Sequence, residues 1–379
     1  MTKETQYRQL ICDVRRAYLN RENELKWCED CREINLWTYW QGRGHLDAQI
    51  MLIGQDWGCP WDAGNTSAVL NVQAINHGQD RNYMTGNSNP TDKNLIELFR
   101  SIGFDVLRDD PRLFFTNFVL GYRAKGSSGN FKKIWADEDA QFFRRLVDII
   151  RPHVLLCLGK DTLQSVLASF GYSMPKETSY NKLIESTQNP VTVQFADGTK
   201  LYVFALAHCG TIGTLNRNRG SNDKFLLNRQ KQDWRRILPA LWSDPELLHT
   251  YWEPSIQLLR EIAASDTKRD WCASYSVYAA CEDIYDLKRR IDQFIKDTYH
   301  NGLIITNYWD VIEQIDPKEE KVCIASGEWV NTLSLESAAA CLAYHFRRDH
   351  FCEGSLISKS IAEGCILRLM ERLYELLMV

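Results

Sequence analysis

Three short stretches bring reactive side-chain types to the ends of apolar runs. The first is GQDWG, where Gln55 and Asp56 follow an apolar run and precede Gly58. The second is FFTNFV, which carries Asn117 late in a run of large apolar residues. The third is LYVFALAH, which ends on His208. A carboxylate, a carboxamide and an imidazole at three strand ends suit the lip of an active site, and each also suits an ordinary strand-to-loop turn. A carboxamide offers one acceptor and two donors, so Asn117 needs partners from the protein or from a ligand. After His208 comes TLNRNRGSNDK, in which Arg217, Arg219 and Lys224 could meet phosphate oxygens or belong to a solvated loop. CEDC gives Cys28 and Cys31 metal-ligand spacing, but a full zinc or iron–sulfur site needs two more ligands and the chain has no second such pair. CLGKDT invites a phosphate-loop reading. The Gly and the Ser or Thr that the motif requires are here Val154 and Asp161, so a strand-to-helix turn is preferred.

These residues need elements to hold them. Apolar runs at 45–54, 112–120, 153–159 and 201–208 read as buried strands. Helical spacing marks 92–104, with Thr91 or Asp92 as N-cap, then 137–152, 160–170 and 223–242. Nearly all-apolar strands alternating with helices predict an α/β fold. The expected form is three layers, α/β/α, around a four-stranded, mainly parallel sheet. Ligands of such sheets bind beyond the carboxyl ends of the strands. That rule gathers 54–59, 116–123, 159–161 and 208–219 into one crevice.

The pattern changes around 243–254, which predicts one domain over 1–246 and a mainly helical accessory domain over 247–379. Helices are expected at 253–264, 279–299, 335–346 and 361–378, with one short strand in GLIITNYW at 302–309. His345, His350 and Cys352 tempt a metal reading, but a helical packing unit is the simpler account. Arg347, Arg348, Lys359 and Arg368 could touch DNA or form a solvated face.

Composition narrows the class. The chain has 379 residues, 44% hydrophobic and 25% charged, as in ordinary globular proteins. Net charge is −4, so nothing global advertises nucleic acid, and any basic surface is local. The polar opening MTKETQYRQL lacks the apolar core of a signal peptide. No stretch reaches the roughly 18 apolar residues of a membrane helix. The expectation is a cytoplasmic protein with no membrane partner and with its twelve cysteines reduced.

Over residues 25–240 the motifs together resemble the uracil-DNA glycosylase superfamily. GQDWG stands where those enzymes carry Gly-Gln-Asp-Pro-Tyr or Gly-Glu-Ala-Pro-Gly. FFTNFVLGYR resembles the strand whose Asn reads the flipped base, and RPHVLLCLGKDT the following strand and turn. AHCGTIGTLNRNRG stands in place of His-Pro-Ser and the loop wedged into the duplex. The resemblance implies a monofunctional DNA glycosylase that flips out a base and leaves an abasic site. It implies catalytic Asp56 and His208, base contacts from Gln55, Gly58 and Asn117, and Tyr83 as an aromatic floor. Ile212 or Leu215 would supply an apolar wedge, and Arg217, Arg219 and Lys224 would touch DNA. No cofactor is required for that chemistry. The segment from Cys28 resembles the opening of the iron–sulfur branch, but the second cysteine pair of that branch is missing, so Cys28 and Cys31 are a remnant or hold zinc. Gly58 replaces the Tyr that blocks substituents on pyrimidine C5. The implied substrate is then a bulky 5-substituted pyrimidine in phage DNA, such as glucosylated hydroxymethylcytosine, and the implied role anti-phage defence. Repair of uracil or other deaminated bases, a non-catalytic module that binds modified DNA, and an unrelated nucleoside enzyme are the alternatives. The C-terminal part resembles a small uncharacterised bacterial domain with a Phe-Cys-Glu-Gly signature at 351–354. Its partner is unknown.

Overall fold

The computed structural model describes residues 1–22, 24–27, 34, 45–58, 90–106, 112–125, 131–176, 179–222, 224, 226–244, 247–264, 282–305, 308–349 and 355–378. The chain forms two compact units. One comprises Met1–Leu98 with Asp105–Asp233, the other Phe99–Phe104 with Trp234–Val379.

The first unit is built on a sheet of five strands: β2 (Ile50–Gly54), β3 (Leu113–Asn117), β5 (Val154–Leu158), β6 (Val191–Gln194) and β7 (Lys200–Leu206), in the order β3-β2-β5-β7-β6. The three pairings among β3, β2, β5 and β7 are parallel, while β6 runs antiparallel to β7. The expected four-stranded sheet is therefore corrected to a mixed sheet of five. The extra strand VTVQ is an edge strand, only partly buried, so it lacks the continuous apolar run that marks the others. It joins β7 through a hairpin in which the Phe195 N–H bonds the Thr199 carbonyl and Gly198 takes φ +85°. Every position of β2, β3 and β5 is buried, as a sheet covered on both faces requires. A separate two-stranded ribbon pairs β1 (Leu25–Lys26) with β4 (Tyr122–Arg123).

Helices follow the apolar spacing of their sequences. In α1 (Lys3–Leu19), Tyr7, Leu10, Val14 and Tyr18 form the buried stripe, and the Thr2 hydroxyl caps the first turn by accepting from the Thr5 N–H. The chain continues with α2 (Pro90–Arg100), α3 (Lys133–Ile150), α4 (Lys160–Ser169), α5 (Tyr180–Glu185), α6 (Thr211–Arg217) and α7 (Asn228–Arg235). The single helix expected over 223–242 is two, α7 and α8 (Leu238–Trp242). Pro239 lies in the first turn of the second, where its missing N–H costs least.

One carboxylate sits on the apolar stripe of α3. Asp139 is fully buried among Trp135, Phe142, Phe143 and Leu146. It accepts the Tyr18 hydroxyl and, at 2.7 Å, the Leu120 N–H, and it forms an ion pair with the Arg21 guanidinium at 2.7 Å. Tyr18 reaches it by passing against Gly121, where any Cβ would land on its ring. Asp139 thus ties α1 and α3 to the loop that follows β3.

In the second unit, a π-helical turn (Leu248–Trp252) runs into α9 (Glu253–Ala264). Then come α10 (Glu282–His300), α11 (Tyr308–Ile315), α12 (Glu320–Ile324), α13 (Gly327–Val330), α14 (Leu335–Asp349), α15 (Ser355–Ala362) and α16 (Cys365–Met378). The strand expected at 302–309 is not formed among its described residues. Leu303, Ile304 and Ile305 are buried without a ladder, and α11 begins at Tyr308. His345 is a packing residue: Nδ1 meets Ser360 Oγ at 2.8 Å and Nε2 meets the Val322 carbonyl at 3.0 Å. Burial pushes its pKa down to about 4. Arg368 donates to the Ala325 carbonyl at 2.6 Å, and Arg348 and Lys359 pair with Glu319 and Glu363. His350 and Cys352 lie outside the described residues.

Removing one partner of a buried charge pair leaves the other uncompensated. Asp139→Ala should therefore lower the stability of the first unit by about 3–5 kcal/mol. Urea denaturation of the whole chain should show an earlier first transition. An unchanged midpoint would contradict the role given to Asp139.

Candidate functional site

The ladder between β2 and β3 continues past the strand ends. Gly54 stands opposite Asn117. Beyond that pair the Phe118 N–H bonds the Gly54 carbonyl at 2.9 Å, and the Val119 N–H bonds the Gln55 carbonyl at 3.2 Å. This zipper fixes where Gln55, Asp56 and Asn117 emerge. Asn117 is 2% exposed, and among the described residues its side-chain amide has no hydrogen-bond partner. Gln55 and Gly58 are half-buried.

Asp56 is paired with Arg123, both side chains being largely buried at 11% and 9% exposure. Burial raises the Asp56 pKa above its ordinary value, and the Arg123 hydrogen bond and charge oppose that rise. Arg123 is held from three sides. Its N–H bonds the Trp57 carbonyl at 3.1 Å, its backbone pairs with Leu25, and its guanidinium lies 5.1 Å from the Trp135 ring centre. The carboxylate is therefore fixed in direction.

His208 follows β7, two strands from β2, which places it about 10 Å from Asp56 by ordinary strand spacing. Its Nδ1 accepts the Gly210 N–H at 3.0 Å. That bond selects the tautomer with the proton on Nε2, which has no partner among the described residues and so remains a free donor. The ring is exposed at the mouth of a recess, yet protein crowds it, and that loss of surrounding water lowers its pKa. Gly213 packs so closely that a Cβ there would land on the His208 carbonyl oxygen. The buried Gln230 donates to that carbonyl at 3.3 Å and accepts the Thr214 hydroxyl at 2.9 Å. Asn94 secures the next residue through the Cys209 carbonyl at 2.7 Å. Cys209 itself is buried and its thiol is pushed up to about 12 by burial, so it offers no thiolate.

The segment expected as a loop after His208 is the helix α6. Ile212 projects from it at 75% exposure, and Leu215 is half-buried. Arg219 and Lys224 are exposed. Arg217 is turned inward at 1% exposure, held by Asp233 through bonds of 2.6 and 2.7 Å and by Glu185 at 2.9 Å. It staples α6 to α5 and α7 rather than presenting itself on the surface. Gly159, Lys160, Asn216 and Arg219 join His208 around a recess of about 450 Å³.

The structure thus places Gln55, Asp56, Asn117 and His208 at the carboxyl ends of parallel strands of the mixed sheet. Tyr83 and the Cys28–Cys31 pair lie outside the described residues. Among the described residues no group of three or more His, Cys, Asp or Glu side chains is placed to hold a metal ion, and no helix is long and apolar enough to cross a membrane. Sequence reasoning missed Arg123, Asn94 and Gln230, polar residues whose importance lies only in what the fold places beside them. Asp139 did leave a signal, being a carboxylate on the apolar stripe of its helix.

Residues 247–378 match a family of unknown function, DUF6508. That span is less than half of the chain. No curated protein matches the chain.

The lowered His208 pKa has a definite sign. Between that value and the ordinary 6.5 the unfolded chain binds the proton and the folded chain does not, so stability falls as pH drops through this window. NMR titration of the His208 ring should give a midpoint below 6.5, with the Nε2–H tautomer above it. A midpoint at or above 6.5 would overturn the assignment of a neutral donor.

Proposed function

We propose that the protein is a monofunctional DNA glycosylase acting on a modified base, with Asp56 and His208 as its catalytic residues. The observation that carries this reading is the pairing of two unlike groups along one sheet edge. One is a buried, oriented carboxylate, and the other a neutral imidazole whose free Nε2–H faces solvent. Breaking an N-glycosidic bond builds positive charge on the sugar and negative charge on the departing base. Asp56 would face the first, stabilising the sugar cation and orienting the attacking water. His208 would donate to the base carbonyl as its charge develops. Both contributions are electrostatic and preorganised. A neutral histidine is the better donor here, because it gains from the developing charge without first paying to keep its own proton charge in a crowded site.

Asn117 supports base reading, since a nearly buried amide without a protein partner can be satisfied by a base edge. The projecting Ile212 suits the wedge that holds a duplex open. The α/β fold with its run of parallel strands and the four motifs support a resemblance to the uracil-DNA glycosylase superfamily. Gly58 in place of a Tyr gate favours a bulky 5-substituted pyrimidine, such as glucosylated hydroxymethylcytosine, over uracil. A role in anti-phage defence follows from such a substrate.

The test uses DNAs carrying uracil, hydroxymethylcytosine or its glucosylated form, scored for alkali-labile abasic sites. The wild-type chain should act on the glucosylated DNA, and Asp56→Asn should lose the activity while still binding that DNA. Activity on none of the three would overturn the reading, and preference for uracil would return it to ordinary repair.

A further inference from the structure

A groove of about 380 Å³ runs between α3 and α4, and the proposed chemistry does not use it. Phe118, which follows Asn117, lies on its floor, and α4 starts two residues after β5 ends, so the groove reaches the carboxyl ends of the strands. Lys133 and Asp137 from the start of α3 face Asp161 and Gln164 from α4 along its rim. All four are exposed, and none of their side chains has a hydrogen bond or ion pair among the described residues. Charges elsewhere on α3 are paired, Arg144 with Asp148 and Arg145 with Asp13.

The rest of the lining is of two kinds. Ser165 and Ser169 donate their hydroxyl protons to the Asp161 and Val166 carbonyls at 2.8 and 2.7 Å, which leaves their oxygens as acceptors. Below them the surface is apolar. Phe131 is half-buried, set edge-on to Trp135 at 6.4 Å, and the small side chains of Ala136, Ala140 and Ala168 leave the space open. Two carboxylates against one ammonium do not suit an anion. A bare metal ion is not suited either, since among the described residues no three acidic, His or Cys side chains converge on one point. The lining calls for a neutral ligand with many hydroxyls and one apolar face, which describes a pyranose ring. Neighbouring hydroxyls can donate to the two oxygens of a carboxylate and accept from an amide or ammonium, while the C–H face lies on an aromatic ring.

We propose that this groove binds a hexopyranose. Asp137 and Asp161 accept its hydroxyls, Gln164 and Lys133 donate to them, and Phe131 covers its C–H face. The groove chemistry calls for a pyranose; that this is the sugar carried by the excised base rests on the glycosylase reading, because a free sugar or glycoside satisfies the same groups. In that reading Gly58 only leaves room for a substituent, whereas the groove attracts one. It then sets the preference for a glucosylated over a plain base without touching the bond that breaks.

The experiment uses the full chain in two arms. In the first, amide NMR follows a titration with methyl glucoside. Shifts should be confined to the groove segments 133–140 and 161–169 and be absent from Asp137→Asn/Gln164→Ala. In the second, excision from glucosylated and from plain hydroxymethylcytosine DNA gives a selectivity ratio. The double variant should lower that ratio by about tenfold, the effect of one charge-assisted hydrogen bond. Lys200→Gln, at the start of β7, should leave it unaltered. Thermal melting confirms that each variant is folded, and the two single variants are read separately if the double variant is not. No shift in the groove segments would overturn the pyranose site, whatever base is released. Shifts with an unchanged ratio would assign the groove to a free sugar or glycoside and overturn its link to the excised base. Shifts in a chain that excises no base would overturn the glycosylase reading and leave the groove standing.

Discussion

The backbone ladder between β2 and β3 does not stop where the strands stop, and the candidate site depends on that continuation. Two further bonds, from the Phe118 and Val119 N–H groups to the Gly54 and Gln55 carbonyls, carry the pairing into the loops. A loop normally frees its backbone from the sheet. Here the zipper makes Asp56 and Asn117 extensions of a rigid element, and the Arg123 N–H bond to the Trp57 carbonyl carries the same restraint one step further. Sites held by strands are positioned more tightly than sites on free loops.

Buried charge completes the restraint. Asp139 holds the loop after Asn117, Arg123 directs Asp56, and Arg217 with Asp233 holds the helix after His208. Each pair sits at the carboxyl edge of the sheet. Taking two charges out of water is costly, so such pairs are weak arguments for stability. Their shared location fits positional specificity better. Each pair loses its electrostatic compensation if its loop moves, which discourages other arrangements of the same chain.

Much of the fold was legible in the sequence because buried parallel strands are nearly all apolar. The four runs around Leu52, Phe115, Leu156 and Val203 marked their strands without ambiguity. The edge strand at Val191–Gln194 was not recognised, although Asp197 and Gly198 between alternating residues are a hairpin signal. The single helix expected over 223–242 is two, with Pro239 in the first turn of the second. At the site, Asp56, Asn117 and His208 could be proposed from type and strand position. Arg123 could not, because its partner lies far away in the chain and the pairing of Tyr122 and Arg123 with Trp57 brings them together. Arg217 misled for the opposite reason. In sequence it belongs to a basic stretch, and only the fold supplies Asp233 and Glu185 to turn it inward.

The central claim is that the sheet edge cleaves an N-glycosidic bond, and the species released tests it most directly. Mass spectrometry of the small molecules set free when the wild-type chain is incubated with glucosylated phage DNA should find the intact modified base, with its sugar substituent and without deoxyribose. Release of nucleotides or of glucose alone, or of nothing while DNA is bound, would contradict the account.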